Sequence, residues 1–165
     1  MRSALILGGA RSGKSRHAER LVEAMAPPWI YVATAQAFDA EMAERIEIHK
    51  ARRKAPWRTI EAPLEVAAAL EESAGPVLVD CLTLWLTNLM LANIDIAPEV
   101  EALASALEKA RHPVVLVSNE VGLGIVPDNE LARAFRDEQG RLNQAIAARA
   151  DRVVLMVAGI AMVVK

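Results

Sequence analysis

The chain contains a single cysteine, Cys81, so no disulfide can form within it. That suits a reducing, cytoplasmic setting, and the position of Cys81 directly after a short apolar run reads as a small buried residue. Long apolar runs are also missing. Val153 to Val164 is too short to cross a bilayer and is interrupted by Gly159, so buried strands and no membrane span are expected. Ala4 to Leu7 is too short for the apolar part of a signal peptide and gives way to a glycine-rich segment and Arg11, which makes the N-terminus structural. Neither sign of charge dominates. With 19 basic and 21 acidic residues the formal net charge is -2, too even for a long-range field toward nucleic acid or an anionic membrane, so any basic site is local. There is no internal repeat or low-complexity tract. What remains is 165 residues, 53% hydrophobic against 24% charged, which fits one compact domain over residues 1–165 with one sizeable core.

Short apolar runs alternate with helical patterns along that length. Ser3–Leu7, Trp29–Ala33, Trp57–Ile60, Val77–Val79, Val114–Val117 and Val153–Val157 read as strands, and their near-continuous apolar character suits a mostly parallel sheet covered on both faces. Lys14–Met25, Phe38–Arg53, Leu64–Ser73, Leu82–Ala92, Glu99–Ala110 and Glu130–Ala150 read as helices. Pro27-Pro28, Gly75-Pro76 and His112-Pro113 punctuate three helix-to-strand joins, and Gly159 allows a C-terminal hairpin that ends in Met162–Val164. The order predicts an open α/β sheet whose ligands sit at the carboxyl ends of its strands.

Gly8-Gly9-Ala10-Arg11-Ser12-Gly13-Lys14-Ser15 satisfies G-x-x-x-x-G-K-[ST] between an apolar run and an amphipathic stretch, the setting a phosphate-binding loop requires. Its glycines let the backbone curl until successive N–H groups point at a polyphosphate, on which the following helix also directs its positive dipole end. Lys14 is expected to reach the outer phosphates and Ser15 to ligate Mg²⁺. Val77-Leu78-Val79-Asp80 is an apolar strand ending in a carboxylate. Asp80 is either a second Mg²⁺-associated acid beside the nucleotide or an N-cap for the helix that follows; the loop favours the metal role.

On the expected helix from Phe38 to Arg53, the 100° periodicity places Phe38 and Met42 on one stripe with Arg45, His49, Arg52 and Arg53. This face is either a solvated helix end that complements the dipole or a bank of cations around a polyphosphate. In the second case the arginines disfavour imidazolium and leave His49 with a neutral ring nitrogen able to attack phosphorus. His17 and His112 carry no assigned role. Asn119 to Pro127 is expected at the ligand crevice. Its apolar Val121, Leu123, Ile125 and Val126 suit a cover over a large substrate or a subunit contact better than a plain exposed connector. Arg133, Arg136, Asp137, Arg141 and Asn143 form either a phosphate-facing patch or a salt-bridged surface.

Taken together, the phosphate loop, Tyr31-Val32-Ala33-Thr34-Ala35, Glu44-Arg45-Ile46 leading to His49-Lys50, Asn119-Glu120-Val121-Gly122 through Pro127, Phe135-Arg136-Asp137 and Asn143-Gln144 resemble a known family over nearly the whole chain. It is the bifunctional adenosylcobinamide kinase and adenosylcobinamide-phosphate guanylyltransferase family of cobalamin biosynthesis. The resemblance implies a RecA-like P-loop NTPase fold and two reactions. In the first, a nucleoside triphosphate, ATP or GTP, phosphorylates the aminopropanol hydroxyl of adenosylcobinamide. In the second, GMP passes from GTP to that phosphate through a GMP-histidine intermediate, which gives adenosylcobinamide-GDP and pyrophosphate. His49 stands at the matching histidine. The resemblance carries nucleotide contacts to Gly8, Gly9, Ala10, Arg11, Ser12, Gly13, Lys14 and Ser15, to Ala33, Thr34 and Ala35, to Lys50, Ala51, Arg52 and Arg53, to Glu61 and to Asp80. It further implies a corrinoid partner and a homotrimer.

Overall fold

The computed structural model of the protein describes residues 2–36 and 55–165. The helix expected from Phe38 to Arg53, with His49, Lys50, Ala51, Arg52 and Arg53, lies outside the described residues.

The strands are β1 (Ser3–Gly8), β2 (Trp29–Ala33), β3 (Trp57–Glu61), β4 (Val77–Asp80), β5 (Val114–Asn119), β6 (Arg152–Val157) and β7 (Ile160–Val163). Numbered over the described residues, the helices are α1 (Lys14–Glu23), α2 (Val66–Glu71), α3 (Leu82–Leu91), α4 (Ile96–Lys109) and α5 (Glu130–Arg149). The strands form one sheet in the order β3-β2-β4-β5-β1-β6-β7. All neighbours pair in parallel except β6 and β7, which are antiparallel. This is the α/β P-loop architecture expected from the motif, with the C-terminal hairpin in place.

Period-two alternation divides β1 to β6 between two cores, whereas β7, expected to be buried, is an edge strand exposed along its whole length. Leu5, Val77, Val79, Val114, Leu116 and Val153 point to one face, where Val66 of α2, Leu86 of α3, Leu103 of α4 and Leu142 and Ile146 of α5 cover them. Ala4, Ile6, Leu78, Val115, Val117 and Val154 point to the other, where Ala18 and Val22 of α1 pack. Apolar residues at successive positions of β1, β4 and β5 are therefore buried on both sides, which is why those segments read as unbroken apolar runs.

Element ends follow local chemistry. Helix α4 starts three residues before the expected Glu99, because the Asp95 side chain accepts a hydrogen bond from Ala97 N and Pro98 is tolerated in a first turn whose N–H groups have no helical partner. Asn129 caps α5 through Ala132 N at 2.8 Å. At the C-terminal end of α5, Lys165 Nζ donates to the carbonyls of Ala147, Ala148 and Ala150, a cation where the dipole is negative. The hairpin turns on Ala158 and Gly159 with φ of 51° and 81°, the two positive values a tight two-residue turn needs. At the opposite edge of the sheet, Asp151 Oδ2 accepts the backbone N–H groups of Arg2 and Ser3. Those two bonds hold the Asp151 carboxyl below the usual carboxylate range and anchor the start of β1.

Leu116 is fully buried in β5, whereas Leu131 on α5 is 70% exposed. Leu116→Ala is expected to lower stability by about 2–5 kcal/mol and Leu131→Ala by less than about 0.5 kcal/mol, measured by urea unfolding.

Candidate functional site at the carboxyl edge of the sheet

The phosphate loop joins β1 to α1. Gly8 ends the strand where an added Cβ would collide with Ser12 Oγ and lie 2.9 Å from Met156 O, so a side chain there would displace the loop. Gly13 takes φ 93° as the N-cap of α1, a left-handed conformation that starts the helix without a side-chain cap. The helix N–H groups are thus left for a ligand rather than for the protein's own side chains. Ser12 N donates to Gly9 O, and Lys14 Nζ donates to the same carbonyl at 3.0 Å, which folds the lysine back over the loop. The Ser12 hydroxyl is buried with no hydrogen-bond partner among the described residues. On the far side, Gly159 N donates to Ser12 O at 3.0 Å, so the hairpin turn braces the loop.

Four of the sequence-predicted groups end strands on the same edge: Gly8 on β1, Ala33 on β2, Glu61 on β3 and Asp80 on β4. Register aligns Ala33 with both Glu61 and Asp80, and Gly8 with Asn119. The groups do not make one tight cluster. With strands ~4.8 Å apart, Asp80 is on the order of 10 Å from Gly8 and Glu61 on the order of 19 Å from it. Strand β5 lies between β1 and β4, so Asp80 stands two strands from the loop rather than on the neighbouring strand. Its Oδ2 accepts the Tyr31 hydroxyl at 3.0 Å. Cys81, not Asp80, occupies the N-cap position of α3, and no side-chain cap is made there.

Thr34 is wholly buried and has a structural role here. Its hydroxyl accepts from Cys81 N at 2.9 Å and donates to Cys81 O at 2.8 Å, while Asn88 Nδ2 donates to Thr34 O and Pro63 O. The exits of β2, β3 and β4 are thereby tied together, which holds the strand ends level. On the loop side, the exit of β5 is tied just as closely. Asn119 N donates to Thr83 Oγ1 at 2.8 Å, Asn143 Nδ2 donates to Asn119 O at 3.0 Å, and Glu120 N donates to Gly8 O at 3.1 Å. Ser118, Gln139 and Asn143 form a buried hydrogen-bonded triangle behind these contacts.

Gly9, Ala10, Arg11 and Ser12 form one wall of a cleft of about 380 Å³ closed by Glu120, Leu123 and Leu155 to Ala158. Of the segment Asn119 to Pro127, Glu120 and Leu123 line this cleft, and Leu123 and Ile125 are strongly exposed. The arginine cluster divides by geometry. Arg133 Nη1 donates to Pro127 O and Asp128 O and straps the end of that segment. Arg136 lies 3.7 Å from Asp137, and Arg141 pairs with Glu138, as expected of a salt-bridged surface.

The family model described as cobinamide kinase / cobinamide phosphate guanyltransferase matches residues 4–164. The chain belongs to that family. It is 55% identical over 98% of its length to the bifunctional adenosylcobalamin biosynthesis protein CobP of Pseudomonas aeruginosa, of which it covers 96%. It is 44% identical, over 98% of both chains, to the bifunctional adenosylcobalamin biosynthesis protein CobU of Salmonella typhimurium. Among solved structures, a prototypical ATPase from the type III secretion system of pathogenic bacteria aligns with a TM-score of 0.54 at 11% identity, over 93% of this chain and 50% of that one; this likeness shows the fold alone.

Within this family member, two groups near the site are set by their surroundings. His17, on α1, is held below the usual imidazole range by partial burial and by the charges of Arg152 and Arg20. Cys81 is pushed up to about 11 by burial and by the neighbouring Asp80 charge. A thiol with that value stays protonated through neutral pH and is inert. A thiol-reactive disulfide reagent at pH 7–8 is expected to titrate no cysteine in the native protein and one after denaturation. Rapid native modification would show that Cys81 is accessible and ionised.

Proposed function

We propose that the chain phosphorylates the aminopropanol hydroxyl of adenosylcobinamide and then transfers GMP from GTP onto that phosphate, with His49 as the covalent carrier. The chain is an enzyme of the kinase and guanyltransferase family, and its nucleotide-binding fold is a P-loop fold. The observation that carries the reading is the strand-loop-helix of Gly8 to Ser15 inside a family match that spans nearly the whole chain.

Both reactions are displacements at phosphorus, for which a protein mainly positions groups and neutralises charge. Gly8, Gly9, Ala10, Arg11, Ser12 and Gly13 would cradle the polyphosphate with backbone N–H groups, and Lys14 would exchange its bond to Gly9 O for one to the outer phosphates. Ala33, Ala35 and Glu61, farther along the sheet edge, would meet the nucleoside end, with Lys50, Ala51, Arg52 and Arg53 as further contacts; Thr34, expected among them, is wholly buried with its hydroxyl bonded to Cys81 and would only hold its neighbours in place. The Ser15 hydroxyl and the Asp80 carboxylate are hard oxygen donors and suit Mg²⁺, which keeps several waters and takes phosphate oxygens rather than a full protein cage. When bound, Mg²⁺ would neutralise charge on the phosphates. His49 would attack the α-phosphorus of GTP; pyrophosphate leaves, and the corrinoid phosphate then displaces the imidazole.

A homotrimer is part of the same reading. Strand β7 is exposed along its whole length at the sheet edge, with Ile160, Met162 and Val163 apolar, and Leu123 and Ile125 are exposed on the cover segment. Such apolar surface favours association. No helix among the described residues is long and apolar enough to cross a membrane. A cytoplasmic place is part of the same reading, since a chain with a single cysteine forms no disulfide within itself.

Incubation with α-labelled GTP is expected to label the protein in an acid-labile, base-stable form. His17→Ala is expected to retain the label and His49→Ala to lose it; persistent label on the latter removes His49 from the mechanism. Light scattering is expected to give the mass of three chains, and a monomeric mass at micromolar concentration would refute the trimer.

A further inference from the structure

The wall facing the outer turn of the phosphate loop contains Glu120 and, among the described residues lining that cleft, no other carboxylate. We propose that Glu120 is the catalytic base of the phosphorylation step: it binds the acceptor hydroxyl and takes its proton. The assignment rests on the reading that Gly8 to Ser15 hold the triphosphate during that step.

Glu120 sits one residue beyond β5, the strand paired directly with β1, whereas Asp80 is two strands from the loop. Its main chain is immobilised from both sides. Glu120 N donates to Gly8 O, the last strand carbonyl before the loop, and the preceding Asn119 is held through Thr83 Oγ1 and Asn143 Nδ2. Behind them stands the Ser118-Gln139-Asn143 triangle, with Gln139 fully buried. This much buried hydrogen bonding at one strand exit makes the position of Glu120 rigid relative to the loop, as a base must be. The side chain is oriented as well, since Oε1 accepts Gly122 N from the same segment. One carboxylate oxygen is thus engaged, and the other is the one assigned to the acceptor hydroxyl.

The rest of the cleft suits the acceptor. Leu123, Leu155, Met156 and Val157 make its remaining wall apolar, and about 380 Å³ is room for a short alcohol-bearing arm but not for a corrin ring, which would stay outside. An alcohol on such an arm lies between the carboxylate and the loop-bound terminal phosphate. Its oxygen forms a bond to the γ-phosphorus as the bond from that phosphorus to the β-phosphate bridging oxygen breaks. The nucleoside diphosphate leaves with that bonding pair, and the hydroxyl proton passes to Glu120. Because the transition state of phosphoryl transfer is loose, orientation of the hydroxyl contributes alongside proton removal.

Glu120→Gln preserves an oxygen for Gly122 N and removes the base; Glu120→Asp preserves the base and shortens its reach. The test measures phosphorylation of adenosylcobinamide, nucleotide KM, and GMP transfer from GTP to separately prepared adenosylcobinamide phosphate. Glu120→Gln is expected to lower the kcat of phosphorylation by about 100-fold or more with nucleotide KM within about twofold, to retain GMP transfer, and to lose the acidic limb of the kcat-pH profile. Glu120→Asp is expected to recover part of the rate and the limb. Phosphorylation by Glu120→Gln within threefold of the parent overturns the assignment alone, as does parallel loss of both activities and of nucleotide binding, which marks a structural role. Failure of the unsubstituted protein to phosphorylate adenosylcobinamide overturns the kinase reading and this assignment with it.

Discussion

The parallel pairing of β1 with β5 on one side and β6 on the other is the constraint on which the rest of the molecule depends. Six residues of β1 are in register with β5, from Ser3 opposite Val114 to Gly8 opposite Asn119, and five with β6. A strand held along both edges, with Leu5 and Ile6 buried in opposite faces, cannot slide without turning each apolar side chain to the wrong side. The register therefore decides where Gly8 stops and where the phosphate loop begins. It also decides that the exit of β5, with Asn119 and Glu120, stands directly beside that loop.

Polar ties convert this register into a level edge. Thr34 with Cys81 and Asn88 joins the exits of β2, β3 and β4, and Thr83 and Asn143 hold the exit of β5. Each tie buries groups that would be costly without partners, and each uses a side chain that supplies both hydrogen-bonding directions or two contacts at once. The loop itself is different. Its Gly13 N-cap makes no side-chain bond, and among the described residues Ser12 Oγ has no partner and Lys14 Nζ donates to the carbonyl of Gly9 alone. A rigid edge thus carries a loop whose own donors are available to an anion.

Much of this was legible locally. The phosphate loop announces itself by residue spacing, and β2 is predicted over the residues it occupies because the four β-formers Trp29 to Val32, with Ala33, are bounded by a proline pair and a polar exit. Helix ends were less legible: α4 begins at Ile96 because Asp95 caps it, three residues before the expected Glu99. The Ser118-Gln139-Asn143 triangle was not read at all, since polar residues on a helix look like a solvent face until the strand they meet is known. Arg133 shows the same limit. Its charge suggested a phosphate or an acid, yet it bonds two main-chain carbonyls that only the path of the preceding segment brings to it. Helical periodicity offers His49 as one of two readings of a cationic stripe; the family resemblance matches it to a histidine carrier and adds Glu61.

The sequence by itself determined which groups exist and in what local setting: a glycine-rich anion loop between strand and helix, strand-terminal acids, one thiol and a balanced charge. These follow from short-range backbone and side-chain chemistry. Tertiary structure alone decided that β5 lies between β1 and β4, that the hairpin turn braces Ser12, and that Glu120 rather than Asp80 shares the cleft wall with the loop. Strand order is set by which buried faces pack and which distant edges pair, and those energies involve residues far apart in the chain, beyond the reach of any local pattern.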